Sequence, residues 1–295
     1  MIGIIGGTGL YALPGLVDQE WRPIASPFGE PSDALLFGRL GDQRVVFLPR
    51  HGRGHRIPPH EIPFRANIDA LKRAGATVVV SVSAVGSLRA ELAPGTFVLV
   101  DQFLDRTLRG PKTFFGTGCV AHVSMAHPTC PRVRGELAAA GATLGLAMVS
   151  GGTYVAMEGP QFSSTAESAM HRMLGCDVVG MTNLPEAKLA REAELCYATV
   201  AMVTDFDCWH PDHDHVVVEQ VVAVLNANAE HARALLAAAI PRLGAHPARC
   251  PHGCDRALEF AIMTAPAARD PELVDKLDAV AGRVLAVRLA SGSVA

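Results

Sequence analysis

The segment Thr204-Asp205-Phe206-Asp207-Cys208-Trp209 sets two carboxylates two residues apart, directly after an apolar, β-branched run at 196–203. Carboxylates beside bulky rings at a strand end are costly to desolvate unless a partner supplies hydrogen-bond donors. A 6-aminopurine supplies them through its exocyclic NH2. A carboxyl kept protonated by burial would also donate to purine N7, neutralising the leaving group as a glycosidic bond breaks. Taken alone, the pair fits a solvated acidic loop equally well.

Other strand ends carry anion-binding chemistry. Arg50-His51-Gly52 follows the run at 45–48 and would project a guanidinium, which matches phosphate oxygens bidentately, and an imidazole. Arg53, His55 and Arg56 leave a basic surface turn as the competing reading. Ser83-Ala84-Val85-Gly86-Ser87 after the run at 77–82, and Met181-Thr182-Asn183 after 177–179, add small hydroxyl donors. Gly7-Thr8-Gly9-Leu10-Tyr11-Ala12 fits the G-x-G-x-x-A dinucleotide fingerprint, but Pro14-Gly15 would interrupt the helix that a pyrophosphate needs. The same glycines, with the Thr8 hydroxyl, suit one phosphate. A plain tight turn is the alternative.

Two further clusters invite a metal reading. His210-Pro211-Asp212-His213-Asp214-His215 packs potential ligands on one loop, where metal geometry seldom closes, so it reads as solvated loop. Cys250-Pro251-His252-Gly253-Cys254 has ligand spacing, but no second pair completes a tetrahedral site. It reads as a surface loop with two free thiols, ahead of a disulfide or a metal.

The elements that must position these residues alternate along the chain. Apolar runs at 2–5, 45–48, 77–82, 97–100, 152–157, 177–179 and 196–203 read as buried strands. Helices are expected at 165–174, opened by the capping box Ser164-x-x-Glu167, at 184–194, at 216–240 with Pro241 as its stop, and near 271–282. The pattern predicts an α/β fold: a single domain with a central mixed, mostly parallel sheet flanked by helices. A length of 295 residues, 49% hydrophobic with 28 glycines, suits it. Residues 1–244 form the main body, and 245–295 a tail with a helix packed on the same domain, too short to bury its own core. A net charge of -3 without a polybasic run argues against nucleic acid. The opening residues lack a basic n-region, and the longest other apolar run, 234–240, falls short of the ~20 residues a bilayer requires, so a cytoplasmic protein without membrane contact is expected.

These residues resemble the trimeric purine nucleoside phosphorylases from Ile2 to about Ile240. The match runs through Gly-Gly-Thr-Gly at 6–9, Arg50-His51-Gly52, Gly86-Ser87-Leu88, Glu158-Gly159-Pro160, Phe162-Ser163-Ser164, Met181-Thr182 and the Asp205/Asp207 segment. The resemblance implies that phosphate is held by Thr8, Arg50, His51, Ser83, Ala84 and Thr182, that Met181 meets the ribose, and that Phe162, Ser163, Asp205 and Asp207 form the base pocket. It further implies that Val218, Val221 and Val222 receive a 5′-methylthio group and that His122 reaches in from a neighbouring subunit of a homotrimer. The implied reaction is phosphorolysis of 5′-methylthioadenosine in purine and methionine salvage, with Asp205 as proton donor, phosphate as co-substrate, and no metal or organic cofactor. Asp205 separates this from relatives acting on 6-oxopurines, which carry asparagine there. Inosine or methylthioinosine phosphorolysis stays open, as does a non-catalytic nucleotide-binding module.

Overall fold

The computed structural model describes all residues except 8–9, 11, 211–217, 246–248 and 291–295, and no side chains at 218–221, 223 and 287–290. Its strands are β1 (Ile2–Gly6), β2 (Leu16–Arg22), β3 (Leu35–Leu40), β4 (Gln43–Pro49), β5 (Val78–Ser87), β6 (Phe97–Leu99), β7 (Gln102–Asp105), β8 (Met148–Ser150), β9 (Thr153–Ala156), β10 (Val178–Gly180) and β11 (Cys196–Asp205). The helices are α1 (Phe64–Arg73), α2 (Pro131–Thr143), α3 (Thr165–Met173), α4 (Asn183–Glu192), α5 (Val218–Gly244), α6 (Pro271–Lys276) and α7 (Asp278–Ala290).

The strands join in one sheet along the path β2-β3-β4-β1-β5-β10-β9-β7, while β11 branches from β5 and carries β6 and then β8. β1 is parallel to β4 and β5, β11 to β5, β9 to β7 and β10, and β6 to β8. The antiparallel pairings are β2 with β3, β3 with β4, β5 with β10, and β6 with β11. The sheet is therefore mixed and mostly parallel, as the alternating pattern predicts.

Strand alternation sorts side chains into two cores. Ile5, Val79, Ala201 and Val203 face a cluster with Ile68, Leu71, Ala187 and Leu189 of α1 and α4. Ile4, Val80, Val200 and Met202 face another with Leu137 and Ala140 of α2 and Leu235, Leu236 and Ile240 of α5. Burial on both faces explains why the central strands read as unbroken apolar runs. The tail joins the first cluster through Leu258, Ile262, Leu277, Val280 and Leu285. It is tied there by Arg283, whose Nη2 donates to Glu194 Oε1 at 2.7 Å.

The structure departs from expectation at several elements. β5 continues to Ser87 and β11 to Asp205, so the 83–87 and 204–205 segments lie within strands rather than beyond them. Pro241 does not end α5, which runs on to Gly244. Packing of the buried Leu243 against the second cluster holds the last turn, and Ala245 N donates to Pro241 O at 3.2 Å. The hairpin β2–β3 and the helices α1 and α2 were not anticipated. The capping box is formed as read: Ser164 Oγ accepts from Glu167 N, and Glu167 reaches back to Ser164 N.

Candidate functional site

The ends of β1, β4, β5, β10 and β11 open on a cavity of about 530 Å3. At one end stand the two acids. Asp205, last residue of β11, accepts from Thr204 Oγ1 at 2.7 Å through Oδ2 and from Asp207 N at 2.8 Å through Oδ1. Burial raises the Asp205 pKa; these two hydrogen bonds oppose the shift, and the neighbouring Asp207 charge adds to it. Asp207 sits in the left-handed region at φ 53, uncommon for a non-glycine residue, and its buried Oδ2 has no hydrogen-bond partner. The tight turn passes so close to β5 that a Cβ on Gly86 would lie 2.9 Å from Asp205 Oδ1 and 3.3 Å from Asp207 Cβ. Beyond it, Trp209 Nε1 donates to Ser87 O at 2.7 Å, and the Arg172 guanidinium stacks over the Trp209 ring at 3.8 Å. The acids are thus fixed, inward-facing groups, and the solvated-loop alternative falls.

The other end carries hydroxyls and a buried arginine. Ser83 Oγ lies 3.1 Å from Thr182 Oγ1, bringing the ends of β5 and β10 together, with Ala84 alongside. Arg50 is buried, but its bidentate grip is not free for phosphate. Nε and Nη2 bind the two Glu186 oxygens at 2.8 and 3.3 Å, Nη2 also reaches Ser81 Oγ, and Nη1 donates to Val82 O at 3.1 Å. Of five guanidinium N–H groups, this leaves one on Nη1 for a ligand. Glu186 is held in turn by Tyr197, whose hydroxyl donates to Oε1 at 2.9 Å. His51 Nδ1 bonds Ile57 O at 2.8 Å, and the ring stacks on His55 at 4.2 Å. Burial, and then the Arg50 charge, push the His51 pKa down to about 4, so the ring is neutral at pH 7. With Nδ1–H committed to a carbonyl, Nε2 is a hydrogen-bond acceptor.

Residues 1–241 match the family model of the phosphorylase superfamily. The chain belongs to that superfamily. Among its relatives, S-methyl-5'-thioadenosine phosphorylase of Cereibacter sphaeroides is 60% identical over 285 residues, covering 97% of this chain and 98% of the relative. The protein of the same name from Bradyrhizobium diazoefficiens is also 60% identical, with the same coverage. Among solved structures, a methylthioadenosine phosphorylase from an Antarctic soil metagenomic library superposes with TM-score 0.90 at 45% identity, covering 95% of this chain and 98% of that one. The methylthioadenosine phosphorylase of Schistosoma mansoni, solved in complex with adenine, gives TM-score 0.81 at 37% identity, covering 91% and 98%.

On this phosphorylase-superfamily scaffold, Arg50, His51, Ser83, Ala84, Phe162, Met181, Thr182, Asp205 and Asp207 all line the cavity. Ser163 is not among its lining residues: its Oγ donates to Met157 Sδ at 3.6 Å, and its carbonyl accepts from Cys208 Sγ at 3.3 Å. Val222 is 46% exposed and outside the lining. From α5, Leu225, Asn226 and Ala229 face the cavity instead, one to two turns further along the helix. His122 donates its backbone N–H to Ala261 O at 2.9 Å and lies outside the lining of its own chain's cavity. Thr8 lies outside the described residues, as do the side chains of Val218 and Val221 and most of the 210–215 histidine loop. Among the described residues no helix follows the glycine turn, so the dinucleotide fingerprint lacks its helix.

Sequence reasoning missed Glu186, which is 136 residues from Arg50 and has no spacing signal to join them. It also missed Met157 and Met202, apolar wall residues that read only as core. The cysteine reading needs correction. Cys250 and Cys254 are buried, not surface thiols, and Cys130 and Cys196 supply the second pair whose absence was inferred. Those partners come from distant elements that only the folded sheet brings together.

Proposed function

We propose that the chain cleaves the glycosidic bond of 5′-methylthioadenosine with inorganic phosphate, releasing adenine and 5-methylthioribose 1-phosphate. The observation that carries this reading is the acid pair: a buried Asp207 oxygen without a partner, two residues from a carboxyl whose proton is favoured by burial. The bare oxygen suits an exocyclic NH2, and the acid form of Asp205, which burial favours, suits N7. The names of the similar proteins, and the adenine held by the Schistosoma mansoni structure, support the same base.

In this reading phosphate rests on Ser83, Ala84, Thr182 and the remaining Arg50 N–H, with His51 Nε2 accepting from a protonated phosphate oxygen. A phosphate oxygen attacks C1′ as the C1′–N9 bond breaks, and the bond electrons pass to the purine while Asp205 delivers its proton to N7. The anion beside the sugar stabilises the developing oxocarbenium charge. The apolar wall of Met157, Met181, Met202 and Leu225 suits a thioether better than a hydroxyl. Neither metal nor organic cofactor takes part.

The test is product analysis with and without phosphate. Adenine and sugar 1-phosphate should appear in equal amounts, and only when phosphate is present. Undiminished release in its absence would make the protein a hydrolase, and faster release of hypoxanthine would make it a 6-oxopurine enzyme. The family resemblance further supports a cytoplasmic homotrimer in which a neighbour's His122 completes the site. Light scattering should then return three times the chain mass, and a monomer with full activity would remove His122 from the mechanism. Among the described residues, no helix is long and apolar enough to cross a membrane.

A further inference from the structure

Four cysteines from three separated stretches of chain meet at the end of β11 opposite Asp205. Cys130 caps the start of α2, Cys196 is the first residue of β11, and Cys250 and Cys254 belong to the segment after α5. All four are buried, and their Sγ atoms all lie within 4.8 Å of one another, with Cys130 and Cys250 Sγ 3.7 Å apart. A tetrahedral zinc with Zn–S bonds of about 2.3 Å places its sulfurs about 3.8 Å apart, whereas a disulfide needs about 2.05 Å. A separation of 3.7 Å is that of ligands around an ion rather than of a bonded pair.

The surroundings fit such a centre. Cys250-x-x-x-Cys254 has ligand spacing, and Gly253 turns the loop at φ 69. Rigid elements hold the other two sulfurs: Cys130 N donates to Tyr197 O at 2.7 Å and Cys196 N to Thr77 O at 3.0 Å. Cys250 N donates to Asp255 Oδ1 at 3.3 Å. Arg132 lines a cavity beside Cys196 and Cys250, its Nε and Nη1 are buried, and its side chain hydrogen-bonds to Cys196. A tetrathiolate of a divalent ion carries two net negative charges, which a buried guanidinium would offset.

We propose that Cys130, Cys196, Cys250 and Cys254 form a closed tetrathiolate zinc site that fastens the segment after α5 to the sheet. Four thiols bind one Zn2+ and release four protons, with no change of oxidation state. Four protein ligands leave no open position, so the ion is structural and takes no part in the chemistry at the other end of β11. Soft thiolates select zinc over magnesium or calcium.

The test is metal analysis of the full chain produced with zinc and desalted. One zinc per chain should be retained and then released by a mercurial thiol reagent. Protein grown with cobalt should show the intense visible bands of a tetrahedral thiolate centre. Cys254→Ser should lower bound zinc at least tenfold, while Cys176→Ser, outside the cluster, leaves it unchanged. If the serine variant does not fold, the cobalt spectrum of the unaltered chain decides the question. Metal-free protein with four titratable thiols at these positions, a mass four hydrogens short from two disulfides, or a coloured iron centre would each overturn the proposal.

Discussion

Asp207 combines a left-handed backbone with a buried carboxylate oxygen that no described protein group pairs. Strain of that kind costs ~1–3 kcal/mol and persists where surrounding structure imposes it. Asp205 has its proton favoured by burial, so its acid form is lost as pH rises through the elevated pKa. Adenine release should therefore fall on the alkaline side with a limb absent from Asp205→Asn. That variant should lower kcat/KM for methylthioadenosine by roughly 100-fold or more and shift preference toward 6-oxopurines, as rates on paired substrates will tell. His51 makes a separate forecast about stability. Its folded pKa of about 4 lies below the ordinary 6.5, so the neutral ring favours the fold. That contribution is complete above pH 6.5 and fades as pH falls toward 4, a loss of a few kcal/mol at most. Thermal melts between those pH values should show a shallower slope for His51→Gln than for the unaltered chain.

The site is assembled by strands whose neighbours lie far apart in sequence. β4 brings Arg50 and α4 brings Glu186, buried partners whose geometry only the folded sheet fixes. Glu186→Gln leaves a buried guanidinium half-paired, and breaking such a pair typically costs about 3–5 kcal/mol. Urea unfolding should register a loss of that order. Gly86→Ala should lower both kcat and stability, because the added methyl would press on the Asp205 carboxylate at 2.9 Å and on the buried Val179 side chain at 3.2 Å. The central strands were legible because burial on both faces leaves unbroken β-branched runs, and α3 was legible from its capping box. β2 was not, since most of its residues face solvent and no apolar run marks it. α2 was hidden by glycine and alanine, which give it little amphipathic contrast. Strand ends were misjudged where Ser83 and Asp205 interrupt the apolar pattern while the backbone ladder continues.

Across the whole molecule, the mostly parallel sheet could be read from alternation alone, whereas the role of the tail could not. The sequence places the tail on the same domain without saying what it packs against, and in the fold Leu258, Leu277 and Val280 join the core beside α1 and α4. Chelating the inferred zinc should thus lower the melting temperature while the pH profile of adenine release keeps its shape. Differential scanning fluorimetry beside a pH series checks both. The pairing of Arg50 with Glu186 carries one more consequence. With that cation already neutralised and the imidazole uncharged, the dianion meets dipoles and hydroxyls in place of a net positive field. Its capture should accordingly be almost indifferent to ionic strength, and added potassium chloride should leave its half-saturation concentration nearly where it was.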